Sequence, residues 1–222
     1  MKTVYGYADV ISGFFEFPTE NARRILPPHL QPAELHHGTS IFSMTCFDFD
    51  RSSVGPYGEV VMSVVVAPIV KPGERLPKFA LYPYMVGTTT RAAREHAIER
   101  WHLPHWMEDV GIEWVRDERT LGAKVTLDGT PLAELTIGEH SWQPVEQLYQ
   151  SFMKDESGAY QANIVMEGEQ SEHEEETGRL VLHDHPFNRV LQIGDVAEAP
   201  FREIWMRRGI QTFDPLLTLQ TA

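Results

Sequence analysis

Three groups of residues in this chain have the types and spacing to do chemistry. The segment WHLPHW, Trp101 to Trp106, sets two imidazoles on either side of Pro104, with His96 shortly before them. Three histidines within ten residues raise the question of a metal. There is no HExxH spacing, however, and Pro104 keeps His102 and His105 off a shared regular helical face. LHDH adds His183 and His185 at strand spacing on one face, and LHH adds His36 and His37. Ten histidines in 222 residues produce such pairs by accident, so the spacing argues against a metal site. Cys46, the only cysteine, lies among Met and Phe in a strand pattern and reads as a buried, inert thiol. No GxSxG, GxGxxG or GxxxxGK[ST] run occurs, so neither a nucleophile elbow nor a nucleotide loop is supported. The third group is PYGEVVMSVVV, where Glu59 opens a strongly apolar strand. A carboxylate at the mouth of an apolar barrel has a raised pKa and works as an acid or base. A solvated glutamate at a strand start is the plainer alternative.

The elements that must position these residues are mainly strands. Thr39 to Asp50 alternates loosely. Glu59 to Val70 is nearly continuous Val and Met, as in a strand buried on both faces. Lys78 to Thr88 is another strand, with Pro83 marking an edge or a bulge. Ala123 to Ile137 is the clearest hairpin, with Asp128-Gly129 supplying the positive φ angles of a two-residue turn. Phe152 to Met166 repeats the pattern around Ser157-Gly158, and Phe201 to Arg208 is a late strand. Two helices are expected. One runs from Thr19 to about Leu26, with Thr19 as its cap and Pro27-Pro28 as its stop. The other runs from Thr88 to Trp101 and packs the stripe Ala93, Ala97, Trp101, with Ile98 beside it, on the sheet. WHLPHW therefore sits where a helix runs out against a sheet-rich body. Many strands with few helices imply a mainly β fold: one domain over residues 1–222, a closed or nearly closed antiparallel barrel with flanking helices.

Composition narrows the function classes. The net charge of −13 and the lack of clustered Lys and Arg disfavour a nucleic-acid partner. The acidic run EGEQSEHEEETG, Glu167 to Gly178, reads as a solvated loop. One cysteine excludes an intrachain disulfide and fits a reducing compartment. The N-terminus lacks a sustained apolar stretch, and no run of about 18 apolar residues occurs. A cytoplasmic protein with no membrane partner is the expectation.

Three blocks in order resemble the acetoacetate decarboxylase-like superfamily. PTENARRILPPHLQP is similar to its N-terminal helix leading to LLPPxLEP. YGE, followed some thirty residues on by AIERWHLPHW, resembles its Tyr-x-Glu strand start and its GREIWGFPKK segment. LVLHDHPFNRVLQIGDVAEAPFREIWMRR resembles its C-terminal pattern. The resemblance implies a cone-like antiparallel β-barrel with an internal cavity, a homo-oligomer, and a small-molecule ligand with a carbonyl or carboxyl group. In the family's decarboxylases the lysine after the proline forms a Schiff base, its pKa lowered by a second lysine. Here WHLPHW keeps Trp101 and Pro104 but places His105 and Trp106 at those two positions. An imidazole has no primary amine, so the imine route is closed there. Lys124, in the hairpin strand, is the remaining lysine that alternation would allow inside.

The resemblance then implies His105 and Glu59 as the proton-moving pair. Tyr57, Tyr84 and Trp106 would form an aromatic wall, Arg91 would be a candidate carboxylate partner, and no cofactor is required. The expected activity is acid/base lyase, hydratase, isomerase or cyclase chemistry next to a carbonyl. The alternatives are a ligand-binding protein or pseudoenzyme with the same cavity, and a β-keto acid decarboxylase.

Overall fold

The computed structural model describes residues 2–220. Thirteen strands alternate with two α-helices in the order β1 (Thr3–Pro18), α1 (Thr19–Ile25), β2 (Glu34–His36), β3 (Thr39–Arg51), β4 (Tyr57–Val65), β5 (Phe79–Thr88), α2 (Arg91–Trp101), β6 (Val110–Arg116), β7 (Thr120–Leu127), β8 (Thr130–Gly138), β9 (Trp142–Asp155), β10 (Gly158–His173), β11 (Arg179–Leu182), β12 (Arg202–Phe213) and β13 (Leu217–Leu219). Two short 3-10 turns, Pro186–Leu191 and Ile193–Asp195, precede β12. No helix among the described residues is long and apolar enough to cross a membrane.

The main sheet runs β1-β12-β10-β9-β5-β4-β3, and β1 also pairs with β3, so seven strands close into a barrel. Every pair in the ring is antiparallel except β5–β9, which is parallel and spans only Phe79–Leu81 against Tyr149–Ser151. A second sheet, β11-β8-β7-β6, covers part of the barrel's outer surface.

Period-2 alternation divides the wall residues into two cores. On β3 and β4, Met44, Cys46, Val60 and Met62 face outward into the core shared with the second sheet. Phe47, Phe49, Tyr57 and Val61 face the barrel interior. This double burial explains the unbroken apolar run of β4. The expected hairpin forms as β7–β8, with Asp128 at φ 48° and Gly129 at φ 77°. In the β9–β10 hairpin Asp155 pairs with Gly158, so the turn falls at Glu156-Ser157, one residue earlier than expected. Asp155 Oδ1 holds it by accepting from the Ser157 and Gly158 amides.

Other expectations are corrected. Pro18 rather than Thr19 caps α1, because the Thr19 hydroxyl is taken up by Ser40 Oγ at 2.8 Å. In α2 the stripe Ala93, Ala97, Trp101 is buried as expected, but Ile98 is exposed. The acidic run is not a loop. Glu167–His173 belongs to β10, and only 174–178 leaves the strand. Its charges are met by cations from neighbouring elements: Glu169 by Arg207 at 2.7 Å, and Glu172 by Lys78.

That short loop is tied down by Glu203, a fully buried residue on β12. Its carboxyl oxygens accept from the backbone N–H groups of Gly138 at 2.7 Å, Thr177 at 2.7 Å and Gly178 at 2.8 Å. Glu203→Ala would strand these donors in a dry site. Breaking such a buried polar cluster costs about 3–5 kcal/mol. Thermal unfolding should show a drop of roughly 2–4 °C in Tm for each kcal/mol; a Tm within 2 °C of wild type would refute the assignment.

Candidate active site

The barrel interior is incompletely filled. A cavity of about 90 Å³ lies within it, lined by inward residues of all seven ring strands and by Trp101 and Leu103 from the end of α2. The lining is largely apolar, with Ser12, Thr45, Ser63 and Gln211 among its polar members. Glu59 is the one acidic or basic side chain among the described residues that line it.

The WHLPHW segment closes the barrel where β5 and β9 part. Trp101 ends α2, and His102 caps it in the left-handed conformation at φ 53°. The chain then returns along β5. The Val86 amide donates to Pro104 O at 2.9 Å, and the Trp106 amide donates to Val86 O at 3.0 Å. Arg94 braces the far end through Met107 O at 2.7 Å. A β-carbon on Gly87 would stand 2.7 Å from the Trp106 ring, so this docking requires glycine there. The three histidines go to three different partners: His96 to the Tyr5 hydroxyl, His102 to Asp155 Oδ2 at 2.6 Å, and His105 to Thr88 Oγ1 at 3.0 Å. Among the described residues no group of three or more His, Cys, Asp or Glu side chains is arranged to hold a metal ion.

Glu59 and Tyr57 share the inner face of β4. Burial pushes the Glu59 carboxyl up to about 8, against the opposing effect of the Tyr57 hydroxyl hydrogen-bonded to it. The group retains partial exposure because it borders the cavity. At neutral pH it is a carboxylic acid in an apolar chamber, able to donate from one oxygen and accept at the other.

The remaining expected site residues are not gathered around it. His105 does not line the cavity. Its parallel bridge to Val86, a cavity residue, puts it on the same wall face, but its imidazole is engaged. Nδ1 lies 2.5 Å from Trp106 O and must donate to it, so Nε2 accepts from the Thr88 hydroxyl. Burial holds the His105 pKa below the ordinary histidine value, with the Trp106 carbonyl opposing. Thr88 is the cross-strand partner of Glu59, so His105 stands behind the residue opposite the carboxyl. Tyr84 follows the cavity residue Pro83 as the extra residue of a bulge before Met85 and points outward, its hydroxyl on Met62 Sδ at 3.4 Å. Trp106 is likewise buried in the outer core. Arg91 is exposed and paired with Glu95 at 2.7 Å. Lys124 is exposed on the second sheet, and none of the chain's five lysines lines the cavity. Trp101, Leu103 and Gln211 line it without having been expected there.

With this geometry, solved structures of one kind match the chain along nearly its whole length. The enduracididine biosynthesis enzyme MppR complexed with pyruvate superposes with a TM-score of 0.67 at 11% identity, covering 98% of this chain and 90% of that one. Acetoacetate decarboxylase from Legionella pneumophila gives 0.63 at 15%, covering 98% and 87%. An acetoacetate decarboxylase-like enzyme from Sphingomonas wittichii RW1 gives 0.63 at 12%, covering 99% and 94%. The fold is acetoacetate decarboxylase-like. No protein-family model matches the sequence, and no curated protein matches it significantly.

The Glu59 pKa has a consequence for stability. Its folded value of about 8 lies above the ordinary carboxyl value of 4.5, so between them the folded chain holds a proton that the unfolded chain releases. The resulting stability is present in full below about 4.5 and is lost as pH rises through about 8. Glu59→Gln should therefore flatten the decline in Tm between pH 5 and pH 9 and unfold at a higher temperature than wild type at pH 9. Parallel melting curves for the two proteins would contradict the assignment.

Proposed function

We propose that the chain is a small-molecule enzyme of the acetoacetate decarboxylase-like superfamily that moves protons next to a carbonyl without a Schiff base, as a lyase, hydratase, isomerase or cyclase. The observation that carries this reading is that Glu59, held in its acid form, is the one carboxyl, imidazole, amine or guanidinium among the described residues that line the cavity. A protonated carboxyl can perform enolisation in one motion. Its O–H donates to the ligand's carbonyl oxygen while its second oxygen accepts the proton from the adjacent carbon, so the carboxyl ends with one proton as it began. Tyr57 orients the carboxyl, and His105 is a positioning residue that fixes the Thr88 hydroxyl opposite it. The ligand is uncharged, since a carboxylate in this cavity would find no cation. MppR complexed with pyruvate offers a precedent for a carbonyl compound in this fold, although its ligand is an anion. A ligand-binding protein with the same cavity is the second reading, favoured by there being one carboxyl and no imidazole or amine among the described lining residues, where many acid/base enzymes have two such groups.

Exchange of the α-protons of cyclohexanone in D2O, followed by NMR, tests both readings. The enzyme-dependent rate should fall as pH rises through about 8, and Glu59→Gln should lower it by roughly 10²–10⁴-fold. Binding without exchange would favour the second reading. Treatment with acetoacetate and borohydride should leave the protein mass unchanged; a reduced adduct on any lysine would overturn the imine-free mechanism.

A further inference from the structure

Gln211 faces the cavity because of a bulge. Along β12, Glu203 and Trp205 point outward, while Ile204 and Met206 point inward. At Arg208 the backbone turns left-handed, φ 52°, and the β10 register slips between Glu167 and Glu169. Beyond that point the parity reverses, and Gln211 and Phe213 line the cavity. The bulge is locked by Tyr7, whose hydroxyl donates to Glu167 O at 2.7 Å. It also requires Gly209, where a β-carbon would come within 2.1 Å of that same carbonyl. Bulges that re-aim a single side chain recur beside functional sites.

The re-aimed side chain lacks a partner. Gln211 is 5% exposed, and its Oε1 is buried with no hydrogen-bond partner among the described residues. A dry amide oxygen is costly unless something donates to it. Gln211 and Glu59 belong to one end of the chamber. Tyr5, the cross-strand neighbour of Gln211, packs on Phe49, which packs on Tyr57 beside Glu59. From β12 to β4 is three of the ring's seven steps, so the two polar groups face each other across the barrel. Between them the wall is apolar, with Val61, Met166, Met206 and Trp101. The volume of about 90 Å³ corresponds to roughly six to nine water-sized sites at about 10–15 Å³ each.

We propose that the cavity's ligand is an uncharged hydroxy-carbonyl compound of about that many heavy atoms, whose carbonyl oxygen accepts from the Glu59 carboxyl and whose hydroxyl pairs with the Gln211 side-chain amide. This rests on the reading of Glu59 as the carbonyl-binding acid and adds the second anchor. The two anchors fix which carbon of the ligand stands beside Glu59, so Gln211 sets specificity without moving a proton.

Calorimetric titration of the full-length chain with 4-hydroxycyclohexanone, cyclohexanone and cyclohexanol tests the two anchors separately. The hydroxyketone should bind wild type at least tenfold more tightly than cyclohexanone. Gln211→Leu should remove that gap, with Gln211→Met as a second variant if the first unfolds. Glu59→Gln should weaken both ketones relative to cyclohexanol. Equal affinity of the two ketones for wild type would overturn the hydroxyl anchor while leaving the Glu59 reading intact. Unchanged ketone binding by Glu59→Gln would overturn that reading instead. Binding of none of the three would overturn both.

Discussion

Closure of the ring through β1 is the constraint on which the rest of the structure depends. Tyr7 to Phe14 of β1 pair with β12 on one side and β3 on the other, so neither edge of the strand is free. A closed wall has an inside and an outside, and here much of both is buried. The outer face packs on the second sheet. The inner face is shared by seven strands whose side chains do not meet at the centre, and the cavity is what remains. Such a wall removes the edge-pairing hazard of open sheets and makes each strand's parity decide what enters the chamber.

The electrostatics follow from that enclosure. A carboxylate inside an apolar chamber needs a cation, a metal or a proton. Glu59 faces no lysine or arginine in the cavity and takes the proton. Where the resemblance implies a lysine, the chain has His105, which is turned to Thr88 and the Trp106 carbonyl and kept neutral by burial. The missing cation and the protonated acid are thus two aspects of one arrangement. A lysine ammonium in the same chamber would favour the ionised form of Glu59 and draw its pKa back down.

Local pattern made some elements legible and hid others. The Val and Met run of β4, the Asp128-Gly129 turn and the Ala93, Ala97, Trp101 stripe all describe a residue's immediate surroundings, and all form as the sequence indicates, except that the strand expected to reach Val70 ends at Val65 and leaves Ala67 to Ile69 exposed. β1 was not legible as a strand. Its two buried faces, glycines at 6 and 13 and irregular register near Tyr7 leave no simple period. The charge of Glu167–His173 suggested a loop, because cross-strand partners such as Arg207 and Lys78 are remote in sequence. Glu203 carried no local sign of its role, since its donors at Gly138, Thr177 and Gly178 are 25 to 65 residues away.

Strand parity and its breaks decide which wall residues enter the cavity. Gln211 lies just past an irregularity in its strand, where one extra residue exchanges inside for outside, whereas Tyr84 takes the outward place that alternation from Leu81 and Pro83 gives it. Without the slip at Arg208, Gln211 would point out. Trp106 follows the same rule in the segment that bridges to Val86, where alternate residues take opposite sides of the wall. Residue type therefore indicates which groups are able to act, while bulge position determines which of them meet. In this chain the bulge on β12 is fixed by close packing of Gly209 against Tyr7, so the entry of Gln211 into the cavity lining is set by contacts on the wall behind it.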